Sequence, residues 1–286
     1  MNPEGRPVFS IVAPTYKRPQ ALARLLRGIE ELDFPLASVE VVLVDDSGSG
    51  GIEDVVGPFR ARLEIRVLSS PHLGPAPARK IGVNAARGRY LAFTDDDCVP
   101  ATDWLTRLDA GFAGNPEAAI GGPTINALAA NPYSTATQAM IDYLQEQSNR
   151  GEVRYLTTSN VAFPAAGLRA VDALDSSWHI WGGEDRNLSR VWRSAGGQML
   201  YDAQLRVYHS HPLNFKTYWN QHFRYGCGSS RFHRESGFES AGFYLGLLTT
   251  GIRRHGFRRG WRTAGLILLA QVPTLCGFVH ERLFGA

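Results

Sequence analysis

The sequence has few cysteines and lacks the motifs of several common nucleotide-binding proteins. Its three cysteines among 286 residues, Cys98, Cys227 and Cys276, are far apart and odd in number. They form neither a disulfide framework nor a Cys-x-x-Cys metal pair, which is typical of a reducing compartment. The chain has no Gly-x-x-x-x-Gly-Lys-Ser/Thr loop, and no Gly-x-Gly-x-x-Gly follows the first predicted strand. These absences disfavour a P-loop nucleotidase and a dinucleotide-dependent dehydrogenase.

Long hydrophobic runs are also scarce. Residues 1–7 are polar and contain no signal-peptide core. Near the C-terminus, the apolar run 264–273 is far shorter than the ~20 residues that span a bilayer, and Gln271 and Pro273 interrupt it. We therefore expect a cytoplasmic protein, with the inner face of the membrane as an alternative location.

The net charge of +3 is small, but its distribution is uneven. Residues 241–286 contain six arginines and one acid, a charge of +5, whereas the rest of the chain has 24 basic and 26 acidic side chains. This pattern favours a local contact with an anionic partner over a broad nucleic-acid-binding face. Basic residues beside an apolar helix fit peripheral membrane contact through 251–280, and packing on the core is an equal alternative.

Four short apolar runs alternate with helical patterns in the first hundred residues. The strands are predicted near residues 9, 41, 65 and 91, with helices between them that include about 76–86. This β-α-β-α-β-α-β order is the pattern of a parallel, doubly wound sheet. The composition, 44% hydrophobic and 20% charged, suits one large α/β domain or a domain with an appendage.

Carboxylates follow two of these strands. Asp45 and Asp46 end the second, and Asp95, Asp96 and Asp97 follow the fourth. Carboxyl ends of parallel strands share one edge, so these acids are expected to converge on one crevice. An isolated acidic triplet is more simply a solvated turn. Two acidic turns on one edge favour a site for a hard metal, Mg²⁺ or Mn²⁺.

A second acidic pair opens a helix later in the chain. Glu184 and Asp185 follow two glycines and precede the apolar stripe of that helix. Carboxylates at a helix N-terminus are favoured by the helix dipole, so a capping role is one interpretation. The other is that a carboxylate here acts as a general base, with Trp178 and Trp181 stacking on a sugar ring.

Two histidines lie close together after a predicted strand. His209 and His211 are at i and i+2, and in an extended strand they would point the same way, as metal ligands do. A structural histidine is the more common alternative. The following segment, 215–234, interleaves aromatic and basic residues, which suits single-stranded nucleic acid, core packing, or contact with a diphosphate or lipid headgroup.

Taken in order, these segments resemble the family 2 glycosyltransferases, which are inverting enzymes of the GT-A fold that use nucleotide-sugars. The matching segments are Ile11-Val12-Ala13-Pro14-Thr15-Tyr16-Lys17-Arg18, Val41 to Asp46, Ala78 to Gly82, Gly88 to Cys98, Ser159 to Phe163, Gly182 to Leu188 and Val207-Tyr208-His209. The resemblance covers roughly residues 8–212. It implies a Rossmann-like, mostly parallel central sheet flanked by helices, followed by a helical C-terminal extension.

The resemblance also implies roles for individual residues. Pro14, Thr15, Tyr16 and Asp46 would border the nucleobase, and Arg79 would contact the nucleotide. The triplet is similar to the Asp-x-Asp motif, in which Asp95 and Asp96 lie near the ribose and Asp97 coordinates Mn²⁺ or Mg²⁺ with His209. Asp185 matches the catalytic base, and Glu184 lies beside it near the acceptor. Lys80, where relatives often have Asn, and the turn Ser47–Gly51 depart from the family pattern.

The implied enzyme is a metal-dependent, hexosyltransferase-like member of the family. It would move a sugar from a nucleotide-diphosphate donor, UDP-sugar being favoured, to an acceptor hydroxyl by direct displacement. Residues 1–212 would form the catalytic domain, with nucleotide-sugar binding in about 8–123 and acceptor binding and catalysis in about 124–212. Residues 213–286 would form the extension.

The partners implied are the nucleotide-sugar donor and a glycan, lipid-linked or small-molecule acceptor, which indicates glycan or polysaccharide biosynthesis and no nucleic-acid partner. Two alternatives remain open at this stage. One is a nucleotidyltransferase that makes nucleotide-sugars, and the other is a catalytically silent protein that only binds them.

Overall fold

The computed structural model describes residues 5–48, 51–171, 174 and 182–285, without the side chains of 235, 236, 255 and 257–259. The chain divides into two compact units. Unit 1 contains residues 1–125, 156–179 and 188–209, and unit 2 contains 126–155, 180–187 and 210–286.

The strands of the described chain form two sheets. In chain order they are β1 Phe9–Thr15, β2 Val39–Asp45, β3 Glu64–Ser69, β4 Tyr90–Phe93, β5 Cys98–Pro100, β6 Ala119–Gly121, β7 Thr124–Asn126, β8 Val161–Pro164, β9 Met199–Tyr201 and β10 Val207–His209. The larger sheet has the order β3-β2-β1-β4-β8-β6-β9, and its first four strands are parallel. Strand β8 is antiparallel to both neighbours. The predicted parallel βα arrangement of the first hundred residues is confirmed.

Two of the parallel strands are buried along their whole length. Every residue of β2 and of β4 is buried, as is typical of strands covered on both faces. Helix α1, Pro19–Glu30, begins with a proline in its first turn and turns Leu22, Leu25 and Leu26 into the core. The spacing of these leucines, three and four positions apart, is that of one face of a helix.

The register of β1 brings the acidic turns together in unit 1. Thr15 at the end of β1 pairs with Asp45 of β2, whereas β4 ends at Phe93, which pairs with Val12. The chain after Phe93 therefore runs on beside the last residues of β1. The small sheet β5-β10-β7 then pairs Cys98 with His209, which fixes the histidine next to the triplet.

The remaining helices follow the order of the chain. They are α2 Glu53–Val56, α3 Pro75–Ala85, α4 Trp104–Gly114, α5 Pro132–Ser148, α6 Ala165–Val171, α7 Glu184–Ser194, α8 Phe215–Ser236 and α9 Ala241–Phe284. Helix α5 is 17 residues long. Its first turn is stabilised by Asn131, whose side chain accepts hydrogen bonds from the backbone N–H groups of Tyr133 and Ser134.

Unit 2 is helical and has its own core. Tyr218 of α8 is buried with Ile267 and Ala270 of α9 and with Ala136 and Ala139 of α5. Since residues 126–155 cluster with the C-terminal helices, the compact unit is larger than the predicted extension 213–286. The functional boundary at 212 stays a prediction.

Helix α9 corrects the expectation about the C-terminal apolar run. The helix has a non-helical residue at Gly256, and its second part, Gly260–Phe284, is 25 residues long and continues past Pro273. Near the proline, the Gln271 amide donates to the Ile267 carbonyl and the Thr274 hydroxyl to the Ala270 carbonyl. By length and composition this segment could cross a membrane, since an 18-residue window within it has a mean hydropathy of 1.5. The expectation that the run is too short was therefore wrong for the helix as a whole.

Candidate active site

Each of the three carboxylates of the acidic triplet in unit 1 has a hydrogen-bond or ion-pair partner. Asp95 is paired with Arg79 and accepts a hydrogen bond from the Ser159 hydroxyl. The Thr15 hydroxyl donates to Asp96 Oδ2 at 2.8 Å. Arg18 Nη1 lies 2.6 Å from Asp97 Oδ2, and its Nη2 lies 3.1 Å from Asp96 Oδ1. The triplet is thus an organised cluster and not a solvated turn.

Burial dominates the electrostatics of the middle acid. Asp96 is fully buried, which raises its pKa to about 7, although the nearby Arg18 charge works in the opposite direction. The neighbouring Asp97 charge adds to the rise. A further positive charge in the cluster would stabilise the ionised form of this carboxyl group and lower its pKa.

Asp97 and His209 are brought together, as the resemblance implied. His209 Nε2 lies 3.3 Å from Asp97 Oδ1, and the ligand atoms of Asp97, Cys98 and His209 lie within 4.8 Å of one another. Burial lowers the pKa of His209, but the Asp97 charge and hydrogen bond outweigh it and the net pKa is raised. The sequence placed both residues at strand ends, and β5–β10 pairing makes them neighbours.

The donor set fits a hard or borderline divalent cation. Complete burial, with the neighbouring acids, raises the pKa of the Cys98 thiol well above its usual value, so the thiol is a poor ligand. A carboxylate oxygen and an imidazole nitrogen remain, and they leave coordination positions for substrate oxygens. The residues therefore fit Mn²⁺ or Mg²⁺.

His211 is not on the same strand as His209, so the predicted alternation of side chains does not apply to it. Strand β10 ends at His209, so the extended geometry assumed for i and i+2 does not reach His211. The carbonyl of His211 accepts a hydrogen bond from the Ser134 hydroxyl in unit 2.

The residues predicted to border the nucleobase surround the turn after β3. The Tyr16 ring stacks on His72 with ring centroids 4.4 Å apart. Asp46 is buried and accepts hydrogen bonds from the backbone N–H groups of Leu73 and Gly74, each at 2.9 Å, and from the Ser70 hydroxyl. Asp46 therefore also holds the turn that carries His72.

Backbone strain is present in the same region of unit 1. Among the described non-glycine residues, Lys17 and His72 have positive φ angles, 53° and 58°. Such conformations cost of order 1–3 kcal/mol and are common at ligand sites. Pro14 is partly buried beside them at the end of β1.

Two predicted nucleotide contacts have other partners in this structure. Arg79, which is 3% exposed, is paired with Asp95, and Thr15 is bonded to Asp96. Both residues thus support the triplet directly, whatever further contact they make with a nucleotide.

The acidic pair of unit 2 begins helix α7. Glu184 Oε2 accepts a hydrogen bond from the Gly182 N–H at 2.7 Å. Asp185 Oδ1 accepts from the backbone N–H of Arg186, and Oδ2 accepts from the Tyr155 hydroxyl at 2.7 Å. Gly182 has a φ of 102°, a conformation that favours glycine. Trp178 and Trp181, the predicted stacking residues, lie outside the described residues.

Sequence reasoning assigned no role to several residues that hold these acids. Arg18 and His72 lie in turns at the predicted site edge, and that position was the available signal. Ser159 stands in a segment that matched the family. Tyr155 has no sequence signal, because its contact with Asp185 joins residues that are 30 positions apart.

Comparison with known proteins places these features in a family. The model of glycosyl transferase family 2 matches residues 10–175, more than half of the chain. A pre-mycofactocin glycosyltransferase of Mycobacterium tuberculosis is 30% identical over 211 residues, covering 70% of this chain and 43% of its own length. The succinoglycan biosynthesis protein ExoM of Rhizobium meliloti is 27% identical over 265 residues, covering 87% of this chain and 77% of ExoM.

Solved structures share the fold. A mannosyltransferase of Pyrobaculum calidifontis in complex with GDP-Man and Mn²⁺ has a TM-score of 0.62 at 17% identity, with 97% of this chain and 80% of that chain covered. S. aureus TarS 1–349 in complex with UDP-GlcNAc has a TM-score of 0.58 at 14% identity, with 96% and 91% covered. The chain spans less than half the length of the mycobacterial relative. The family match and the fold of these neighbours agree: this chain belongs to glycosyl transferase family 2, with a GT-A type α/β fold.

Proposed function

We propose that this chain transfers a sugar from a nucleotide-diphosphate donor to an acceptor hydroxyl, with inversion, in glycan or polysaccharide biosynthesis. The observation that carries the proposal is the pairing of Asp97 with His209 beside the buried Asp96, in a chain of this family. Three acidic side chains and an imidazole at one sheet edge suit the binding of a cation together with a diphosphate.

The donor would bind along the carboxyl edge of the parallel strands in unit 1. The stacked Tyr16 and His72 rings offer a face for the nucleobase, and Asp46 lies beside them as an acceptor for a ring N–H. Pro14 and Thr15 would border the base, while Arg79, Asp95 and Asp96 would lie near the ribose. A UDP-sugar is favoured because the uracil N3–H matches an acidic acceptor such as Asp46.

A divalent cation held by Asp97 and His209 would supply positive charge to the leaving diphosphate. The chain's own residues do the rest of this work. Asp97 and His209 would hold the cation, and the Thr15 and Arg18 contacts keep the carboxylates of Asp96 and Asp97 in place.

Asp185 would act as the general base on the acceptor. As the acceptor oxygen attacks the anomeric carbon, its proton passes to the Asp185 carboxylate and the bond to the diphosphate oxygen breaks. The C1 configuration inverts because displacement is direct. Glu184 accepts a hydrogen bond from the Gly182 N–H and would lie near the acceptor.

Donor binding tests the site directly. Thermal-shift and calorimetric measurements with UDP-, GDP- and dTDP-sugars, with and without Mn²⁺, should give a Mn²⁺-dependent signal with one base. Asp97→Ala should lose the Mn²⁺-dependent part, whereas Asp109→Ala, an exposed acid on α4, should keep it. Equal donor binding with and without Mn²⁺ in the wild type would contradict the metal role.

The same samples separate the two alternatives. A catalytically silent binding protein would bind the donor without hydrolysing it in the presence of Mn²⁺, even over long incubation. A nucleotidyltransferase would release pyrophosphate from a nucleoside triphosphate and a sugar 1-phosphate. Donor hydrolysis without pyrophosphate release is the result expected of the proposed enzyme.

We also propose that unit 2 contacts a membrane surface at the cytoplasmic side, which would suit a lipid-linked acceptor. One face of Gly260–Phe284 packs inward through Ile267 and Ala270. The opposite face is apolar and exposed, and its largest members are Trp261, Leu268, Val272, Leu275, Val279 and Leu283. The exposed Arg262 lies at the N-terminal end of this segment and the exposed Arg253 precedes it in the chain, and both can meet anionic headgroups.

A further inference from the structure

We propose that Arg18 is an internal counter-cation of the acidic triplet, and that its positive charge weakens the binding of a divalent metal at Asp97. The inference rests on the metal role proposed above for Asp97 and His209. In the absence of metal and donor, Arg18 would compensate the charge of the buried acids.

The guanidinium of Arg18 is shared by two adjacent carboxylates. Nη1 contacts Asp97 Oδ2 at 2.6 Å, and Nη2 contacts Asp96 Oδ1 at 3.1 Å. Asp96 is fully buried and Asp97 is 6% exposed. Neighbouring buried carboxylates repel one another unless a positive charge compensates them, and Arg18 provides that charge here.

Arg18 and the proposed metal approach opposite oxygens of one carboxylate. Arg18 lies at Oδ2 of Asp97, whereas His209 Nε2 faces Oδ1 at 3.3 Å. Adjacent ligands of a six-coordinate ion with bonds near 2.1 Å are roughly 3 Å apart. The Oδ1 side therefore matches a metal position, and the Oδ2 side is taken by the arginine.

A cation at the Oδ1 side would be repelled by the guanidinium of Arg18. Charges of +2 and +1 at about 6 Å repel enough to weaken binding about tenfold even at the dielectric constant of water. The Arg18 side chain is 43% exposed and immediately precedes α1, so it has solvent into which it can withdraw. Asp96, in contrast, is also fixed by Thr15.

The consequence is a metal site that is weak alone and stronger with its donor. Arg18 and the metal compensate the same carboxylates, so each stabilises the protein less when the other is present. The negative diphosphate of the donor offsets the repulsion between the two cations. Arg18 would thereby favour metal that binds together with the nucleotide-sugar.

The test measures Mn²⁺ binding without nucleotide. Calorimetric titration of the full chain with MnCl₂ should give a Kd about tenfold lower for Arg18→Gln than for the wild type. Without metal, Arg18→Gln should have a lower Tm, and Mn²⁺ should raise that Tm by more than it raises the wild-type value. Arg18→Lys retains the charge, so its Kd should stay close to that of the wild type.

Arg87→Gln is the matched control. Arg87 also bridges two carboxylates of unit 1, Glu40 and Glu64, and its side chain is 47% exposed. Its substitution should lower the Tm and leave the Mn²⁺ Kd unchanged. An unchanged or weaker Mn²⁺ Kd in Arg18→Gln, with binding still lost in Asp97→Ala, would overturn the role of Arg18 alone. Absence of Mn²⁺ binding in the wild type, with or without donor, would overturn the metal site as well.

Discussion

At the scale of single residues, both carboxylate oxygens of Asp185 accept hydrogen bonds. The Arg186 N–H and the Tyr155 hydroxyl fix its plane. Fixed orientation is what a general base needs, since proton transfer depends on the distance and angle to the acceptor hydroxyl. A carboxylate that only capped the helix would not need a tyrosine 30 residues away.

We expect Asp185→Asn to keep donor binding and to lose transfer. The amide preserves the shape of the side chain but does not accept the proton, and a lost general base costs about 10²–10⁴-fold in rate. Donor hydrolysis and donor affinity should be measured side by side, with exposed Glu152→Gln as the isosteric control. Full activity in purified Asp185→Asn would refute the base assignment.

Tyr155→Phe should shift the pH dependence of the reaction. The buried phenol donates to Asp185, and its removal takes a hydrogen bond from the charged carboxylate and raises that group's pKa. Because the base must be deprotonated, the acid limb of kcat/KM should move to higher pH. Donor KM should not change.

The control for this shift is Tyr244→Phe, which alters a 40% exposed tyrosine of unit 2. Its profile should match that of the wild type. If Tyr155→Phe lowers the Tm but leaves the acid limb in place, Tyr155 supports the fold only.

At the scale of elements, helices α8 and α9 pack closely through glycines. A Cβ on Gly226 of α8 would overlap the backbone carbonyl of Thr274, and a Cβ on Gly277 of α9 would overlap that of Phe223. Backbone atoms cannot move aside as a flexible side chain can. These two positions therefore set the distance between the helices.

Gly226→Ala should lower the free energy of unfolding by about 1–3 kcal/mol, because the methyl group forces the helices apart. Gly265 on α9 has no neighbour within 4 Å of an added Cβ. Gly265→Ala should therefore raise stability by up to about 1 kcal/mol through helix propensity. Urea unfolding of both variants checks the pair, and equal effects would contradict close packing at Gly226.

Helix α8 also makes unit 2 sensitive to acid. Burial, with the nearby His211, lowers the pKa of His222 to about 4. In the unfolded chain the pKa is near 6.5, so between pH 6.5 and 4 only the unfolded state takes up this proton. Stability should therefore fall as the pH drops through this window, by roughly 3 kcal/mol in full.

His222→Phe keeps an aromatic ring beside Tyr218 and removes the titrating group. Its stability should depend less on pH between 6.5 and 4 than that of the wild type. Exposed His280→Phe should leave the slope unchanged. Thermal unfolding across this pH range measures both, and identical slopes for wild type and His222→Phe would contradict the assignment.

Elements were predictable where one local pattern dominated. Strands β1 to β4 and helix α1 follow from unbroken apolar runs and helical spacing. The start of α5 has no such pattern, because its first turn is polar and depends on the Asn131 cap. The length of α9 is not evident from the sequence, because Gln271 and Pro273 interrupt the apolar run although both lie within the helix.

At the scale of the whole molecule, net positive charge and exposed apolar side chains are concentrated in the C-terminal region. The full chain should bind anionic vesicles, more weakly as salt rises and only slightly when the vesicles are neutral. Cosedimentation should show at least tenfold weaker binding for the double variant Leu268→Asp with Leu275→Asp, which places charge on the exposed face.

Ile125→Asp is the control for this experiment, since Ile125 is a partly exposed apolar residue of unit 1. It should bind vesicles as the wild type does. Equal binding by the double variant and the wild type would exclude this helix face as the contact.

The sequence alone determined the family resemblance, the parallel βα order and which acids are proposed for the site. Strand ends, helix starts and motif spacing are local properties, and they placed Asp46, Asp95–Asp97, Asp185 and His209 without coordinates. Only the tertiary structure decided how those acids are compensated. Arg18 lies 79 positions from Asp97, and Tyr155 lies 30 from Asp185. Contacts over such separations depend on strand pairing and side-chain packing, which no local pattern of residues encodes.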